Sequence, residues 1–168
     1  MSAIVMACVY ALWLAAGWLD FHFHRRTDLP HTSALRESAL HGLQLLLIGS
    51  GVLAWLLLEN TRSLVALLAL LVIAHAITGY FDTVSADGRR RISPAEQHVH
   101  SVLDAAPWVL LGWVGWHAQP RWSLSVDPAA LEAWWLVLLP ALVLVVLPWL
   151  WELQQCLRVR QQGRGTGA

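Results

Sequence analysis

Apolar and polar positions alternate along this chain in long blocks rather than in the short rhythm of a soluble protein. Five apolar stretches stand out, at about 3–19, 39–58, 64–80, 102–116 and 134–151. Each approaches the ~20 residues that a helix needs to cross about 30 Å of hydrocarbon. The first and fourth reach that length if helix continues through the polar residues that flank them, forward through His24 and back through Glu96. A backbone in lipid must satisfy its own hydrogen bonds, so the expected class is all-α. The pattern predicts an integral membrane protein: a four-helix transmembrane bundle built from two helix-loop-helix repeats, plus a fifth transmembrane helix.

The polar blocks between these stretches carry a second pattern. Residues 17–41 read GWLDFHFHRRTDLPHTSALRESALH, and residues 75–100 read HAITGYFDTVSADGRRRISPAEQHVH. Gly17-Trp18-Leu19-Asp20 answers Gly79-Tyr80-Phe81-Asp82, and Glu37-x-x-x-His41 answers Glu96-x-x-x-His100. Internal duplication is the natural reading, with repeat one at about 3–58 and repeat two at about 64–116. The fifth helix is expected at about 134–152. One domain then covers 1–158, and 159–168, rich in Gln, Gly and Arg, is expected to be a disordered tail.

Composition supports the membrane assignment. The chain is 57% hydrophobic and 13% charged, against about 25% charged residues in a soluble domain. Eleven tryptophans suit interfacial belts and lipid contact. Formal net charge is zero, which offers no bulk attraction to nucleic acid. Cys8 and Cys156 are too few for a disulfide framework and are expected at different depths. Arginines concentrate in the first loop, the third loop and the tail. By the positive-inside rule this places the N-terminus outside and the C-terminus in the cytoplasm of a bacterial inner membrane, with both polar blocks at the cytoplasmic face.

Helical geometry turns the polar blocks into candidate chemistry. Residues four apart share a face, which pairs Asp20 with His24, Glu37 with His41 and Glu96 with His100; His75 and Asp82 lie two turns apart on one face. Each of the first four helices thus brings one carboxylate and one imidazole. Ionisable groups cost about 2.5–3.5 kcal/mol each at the centre of a membrane helix, so their presence argues for use. Asp20, His24, Glu37, His41, His75, Asp82, Glu96 and His100 are the expected ligands of two divalent metal ions, and the mixed nitrogen and oxygen set suits iron, with zinc or manganese as alternatives. Asp104 extends the Glu96–His100 stripe and is the candidate for a catalytic proton relay. Gln44 and Thr78 are candidates for outer hydrogen bonds, and Arg36 and Arg91 for balancing charge. Simpler roles compete: Ser93-Pro94-Ala95-Glu96 is a good capping box, and a lone histidine is more often packed than ligating. The repeated spacing on four helices is what favours metal.

In these ligand pairs the chain resembles membrane-embedded di-iron oxygenases and desaturases, which carry histidine-rich metal sites at the cytoplasmic ends of transmembrane helices. The His-x-x-His-His box of desaturases is absent, and Glu-x-x-x-His stands where soluble di-iron bundles have Glu-x-x-His. The duplicated units are also similar to those of uncharacterised small bacterial membrane proteins. The resemblance implies a di-iron oxidoreductase acting on a lipidic or small hydrophobic substrate, with electrons from a partner protein, since no flavin or nicotinamide motif is present. A dinuclear zinc hydrolase, a metal transporter or sensor, and a b-type cytochrome are the alternatives. The fifth helix, with nothing ionisable before Glu152, is expected to pack on the bundle or form an oligomer.

Overall fold

The computed structural model describes residues 3–165. Helix α1 (Ala3–Arg26), a short 3-10 turn (Leu29–His31), α2 (Ala34–Leu57), α3 (Arg62–Ala86) and α4 (Pro94–Trp116) are followed by α5 (Leu131–Ala141), a π-helical segment (Leu142–Val146) and α6 (Leu147–Gly165). Among the described residues there is no β-strand, only two isolated bridges between loops. Four helices are long and apolar enough to cross a membrane: Ile4–Arg26, Ala34–Leu57, Arg62–Ala86 and the continuous rod Leu131–Arg164. The fifth expected span, α4, is long enough but less apolar, because Glu96, Gln97, His98, His100, Ser101 and Asp104 crowd its first three turns.

The exterior is apolar and the inside of one end is polar. Leu46, Leu70, Ile77, Tyr80 and Leu136 are exposed, whereas Asp20, His24, Glu37, His41, Asp82, Glu96 and Glu152 are buried. In water that arrangement would be inverted; around a bundle in lipid it is expected. The largest helix contacts are α2 with α3 and α1 with α4, followed by α2 with α6 and α3 with α4. Helices α1 and α2 do not pack extensively on each other. The last helix stands between them, touching α2 through α6 and α1 through the π segment.

The rod from α5 to α6 is shaped by its prolines. Pro148 has no N–H to give the carbonyl one turn earlier, and its ring crowds that turn. The ladder widens to π just before it, a common way to relieve such a conflict. Val145 of this segment seats against Gly17 of α1, where an added methyl would meet it at 3.2 Å. Immediately after Pro148, the Trp149 ring lies directly over Gly42 of α2, where there is no room for a Cβ, and its indole N–H donates to the Ser38 carbonyl at 2.9 Å. These contacts fix α6 against α2. Helix α6 continues to Gly165, beyond the disorder expected from 159, because Leu157 and Val159 extend it with good helix formers on either side; 166–168 lie outside the described residues.

At the opposite end the segment 117–130 straps the α2–α3 turn. Glu59 N–H donates to the Ser125 carbonyl, Gln119 N–H to Asn60 and Ala129 N–H to Leu56. The Thr61 hydroxyl donates to the Ser123 carbonyl at 2.7 Å. Leu64, Leu68 and Val114 form a small apolar core beneath the strap.

Candidate metal centre

Seven of the eight sequence-predicted ligands come together at the polar end. His75 does not, and two residues outside the predicted set, Glu152 and Arg90, enter the cluster.

Each aspartate reaches across to the other unit. His100 Nε2 of α4 donates to Asp20 Oδ1 of α1 at 2.8 Å, and His41 Nε2 of α2 donates to Asp82 Oδ2 of α3 at 3.1 Å. The second oxygen of Asp20 lies 3.4 Å from His24 Nε2, one turn along the same helix, so Asp20 stands between two imidazoles. Asp82 Oδ1 is buried and makes no hydrogen bond.

Glu152 reaches two histidines from α6. Its Oε2 accepts from His24 Nδ1 at 2.8 Å and its Oε1 from His41 Nδ1 at 3.1 Å. The two rings stack in parallel, with centroids 4.6 Å apart and planes 7° apart. Phe21 meets both edge-on. Glu152 therefore fixes both rings with their Nε2 atoms turned away from it. This is the outer-carboxylate arrangement that commonly orients a metal-binding histidine. The expectation of a fifth helix without a part in the site is corrected: α6 supplies the carboxylate that orders it. The only sequence signal was an acid, Glu152, at the end of the last apolar stretch, and its distance along the chain hid its partners.

Glu37 and Glu96 are engaged elsewhere. Arg90, from the loop between α3 and α4, turns inward with its side chain buried. Its Nη2 donates to Glu37 Oε1 at 2.7 Å and its Nε to the same carboxylate at 3.0 Å, while Nη1 pairs with Glu96. Burial opposes the guanidinium charge, but the hydrogen bonds and charges of Glu37 and Glu96 outweigh it and hold its pKa above the ordinary value. Glu96 also completes the capping box, accepting from Ser93 N–H while the Ser93 hydroxyl accepts from Glu96 N–H. The capping role and the cluster role thus coexist. Arg36 and Arg91 are exposed; the balancing charge is Arg90.

His24 is the centre of the cluster. Its side chain is buried, and Nε2 makes no hydrogen bond, although Asp20 Oδ2 lies at 3.4 Å and Glu37 Oε1 at 3.8 Å. Potential ligand atoms gather in two groups that share it: Asp20, His24, Glu96 and His100, and His24, Glu37 and His41. These buried groups can hold a metal ion.

The remaining candidates line a cavity of about 630 Å³ that begins at Asp20, His41, Asp82 and His100 and runs between the helices. His75 and Asp82 belong to neither ligand group; Asp82 joins the cluster through its bond to His41, whereas His75 lies two turns deeper, in the cavity wall. Asp104 and Gln44 also line the cavity. The Thr78 hydroxyl donates to the Ala74 carbonyl of its own helix rather than to a residue of the cluster. His22 stacks on Trp18, and His98 caps back to Pro94; both stay outside the cluster. Cys8 is exposed, Cys156 buried, and both are free.

No protein-family model matches the chain, and no curated protein or solved structure shows significant similarity to it. The functional reading therefore rests on the geometry.

Proposed function

We propose that the chain is a membrane metalloprotein in which the cluster binds two divalent ions, iron first, and serves an oxidoreductase reaction on a lipidic or small hydrophobic substrate held in the cavity. The observation that carries this is His24: a buried imidazole with one nitrogen fixed by Glu152 and the other, unbonded, set among carboxylate oxygens. A buried polar atom without a partner is uncommon and asks for a reason. Charge points the same way. Asp20, Glu37, Asp82, Glu96 and Glu152 are buried acids with Arg90 as the one buried cation among the described residues. If all five acids are ionised, the four uncompensated charges match two divalent ions. Protons on His24, His41 and His100 are the competing way to balance them.

In this reading Asp20 with His24 and His100 forms one arm of the centre, and Asp82 with His41 the other. His41, with a carboxylate at each nitrogen, is either doubly protonated or has an ion at Nε2 in place of the proton shared with Asp82. Glu37 and Glu96, held by Arg90, shape the floor of the site. Iron bound there would supply oxygen activation, with electrons from a partner protein. The arginine-rich polar end faces the cytoplasm in a bacterial inner membrane.

The test is metal content per chain by mass spectrometry, on protein purified in mild detergent with neither chelator nor polyhistidine tag. About two irons per chain, with a visible spectrum that changes on anaerobic reduction and re-exposure to oxygen, is expected. Two zincs would move the reading to a hydrolase. Absence of metal that added iron, zinc or manganese does not reverse would reduce the cluster to histidine–carboxylate ion pairs.

A further inference from the structure

Between the cluster and the apolar depth of the cavity lies a second polar tier that the metal reading does not use. It consists of His75 on α3, Gln44 on α2 and Asp104 on α4. His75 is only 7% exposed, and its ring makes no hydrogen bond among the described residues. Gln44 and Asp104 make none either. Gly79, one turn from His75, lets the three helices approach: a methyl there would sit 3.2 Å from the Gln44 amide nitrogen and 3.4 Å from Asp104 Oδ1. Buried imidazoles are ordinarily hydrogen-bonded. His75 is turned into a cavity wall with no protein partner.

Beyond this tier the wall is apolar, formed by residues such as Trp13, Leu14, Ile48, Trp134 and Leu138. From His41 to Leu53 on α2 it extends about 18 Å at 1.5 Å per residue. A volume of about 630 Å³ is in the range of sites that enclose small ligands. The charge of the wall narrows the choice of occupant. Asp20, Asp82 and Asp104 line it, together with His41, His75 and His100, and no arginine does. An anionic head such as a fatty carboxylate or a phosphate, seated in this tier, would meet the carboxylate of Asp104 with no arginine to balance it.

We propose that the cavity binds an uncharged single-chain amphiphile, its hydroxyl or carbonyl head hydrogen-bonded by His75 and Gln44 and its chain lying along the apolar wall. His75 donates to a carbonyl or accepts from a hydroxyl. Gln44 offers both functions through its amide. Asp104 lies within the same tier, beside Gln44. The head is thereby held one to two turns from the cluster, with room for the nearest carbons to approach it. This names the substrate class of the proposed metal centre and rests on that reading for turnover, but not for binding.

The experiment is a titration of tryptophan fluorescence, with Trp13, Trp134 and Trp135 in the wall as reporters. The protein is held in nanodiscs, both metal-loaded and metal-stripped, and is titrated with lauryl alcohol, lauric acid and the alkane of equal length. The alcohol is expected to bind saturably and more tightly than the other two. His75→Leu should weaken it about tenfold, the scale of one lost buried hydrogen bond, and His75→Gln should restore part of the loss. Gln44→Leu, which leaves His75 in place, gives a second test should His75→Leu fail to fold by circular dichroism. Equal affinity for alcohol and alkane, or no effect of either substitution, overturns the proposal. So does a His75→Leu protein that loses metal but still binds alcohol, because His75 would then be a ligand. Alcohol binding that persists in protein unable to take up metal keeps the subsite and removes the metal reading; normal metal content without alcohol binding does the reverse.

Discussion

In α1 and α2 the repeated positions hold Asp20, His24, Glu37 and His41; in α3 and α4 the matching positions hold Asp82, Ala86, Glu96 and His100. The two helix pairs use the shared pieces reciprocally. Asp20 bonds His100, Asp82 bonds His41, and Glu37 and Glu96 meet on the same guanidinium. The pieces that are not shared break the balance. His24 is matched by an alanine, Arg90 comes only from the α3–α4 loop, and α6 sits against α1 and α2 with Glu152 on His24 and His41. The acid–imidazole pairs are alike across the two helix pairs, but the unbonded His24 nitrogen lies in the pair that α6 packs against. The other side keeps its distinct histidine deeper, at His75, where it faces the cavity. Shared residues build the frame; the unshared histidines set the two pairs apart, His24 inside the cluster and His75 in the cavity wall.

The largest expected effect comes from the residue that joins the halves. Arg90→Met leaves Glu37 and Glu96 buried without a cation, a change that costs about 3–5 kcal/mol when one partner of a buried ion pair is removed. Denaturant unfolding in micelles should show the loss, and Arg90→Met combined with Glu37→Gln and Glu96→Gln should recover most of it. If the single variant instead keeps its stability by taking up an extra ion, both glutamates are ligands and the clamp has another meaning.

The two aspartates come next. Asp20 faces two imidazoles and Asp82 one. Asp20→Asn should therefore empty most of the site, whereas Asp82→Asn should retain about one ion per chain, since metal content follows the remaining ligand set. Equal losses in the two variants would mean that the halves are equivalent and that the asymmetry around His24 has no consequence for binding.

How far the sequence anticipates this comparison depends on range. Spacings of three and four residues are set by one helix, so the shared faces of Asp20 and His24, or of Glu96 and His100, are visible in the chain, as are the apolar blocks and the Ser93 cap. Which helices become neighbours is not a local property. Nothing near Glu152 signals that α6 inserts between α1 and α2, since the fit depends on Gly42 receiving Trp149 and Gly17 receiving Val145. In the same way Arg89, Arg90 and Arg91 read as one basic run, and only the backbone of the turn decides that the middle one points inward. His75 shares a face with Asp82 as the spacing requires, but two turns is about 10 Å along a helix, too deep for one cluster.

Glu152 tests the one-sidedness more finely. Glu152→Gln keeps the shape but offers one acceptor oxygen where two histidine N–H groups need partners. Outer carboxylates of this kind contribute about 10–100-fold to metal affinity, and a loss in that range is expected by competition with a fluorescent chelator. His24 and His41 are then freed to turn, so a cobalt-substituted protein should also show a broadened visible spectrum. Unchanged affinity and spectrum would mean that α6 supports the bundle but not the site.

The smallest effect should come from Gly42→Ala, one helix position from His41. The added methyl has no room beneath Trp149, and overpacking of this kind costs about 1–3 kcal/mol. The ring must rise from α2, which strains its bond to the Ser38 carbonyl and shifts Glu152, one turn along α6. Metal affinity should fall by less than in Glu152→Gln, and the two losses should not add, because both act through the same carboxylate. The double variant distinguishes this from general loosening. If Gly42→Ala lowers affinity further in a protein that already carries Glu152→Gln, the Trp149 contact orders the site by a route other than Glu152, and the added helix acts on both halves rather than on one.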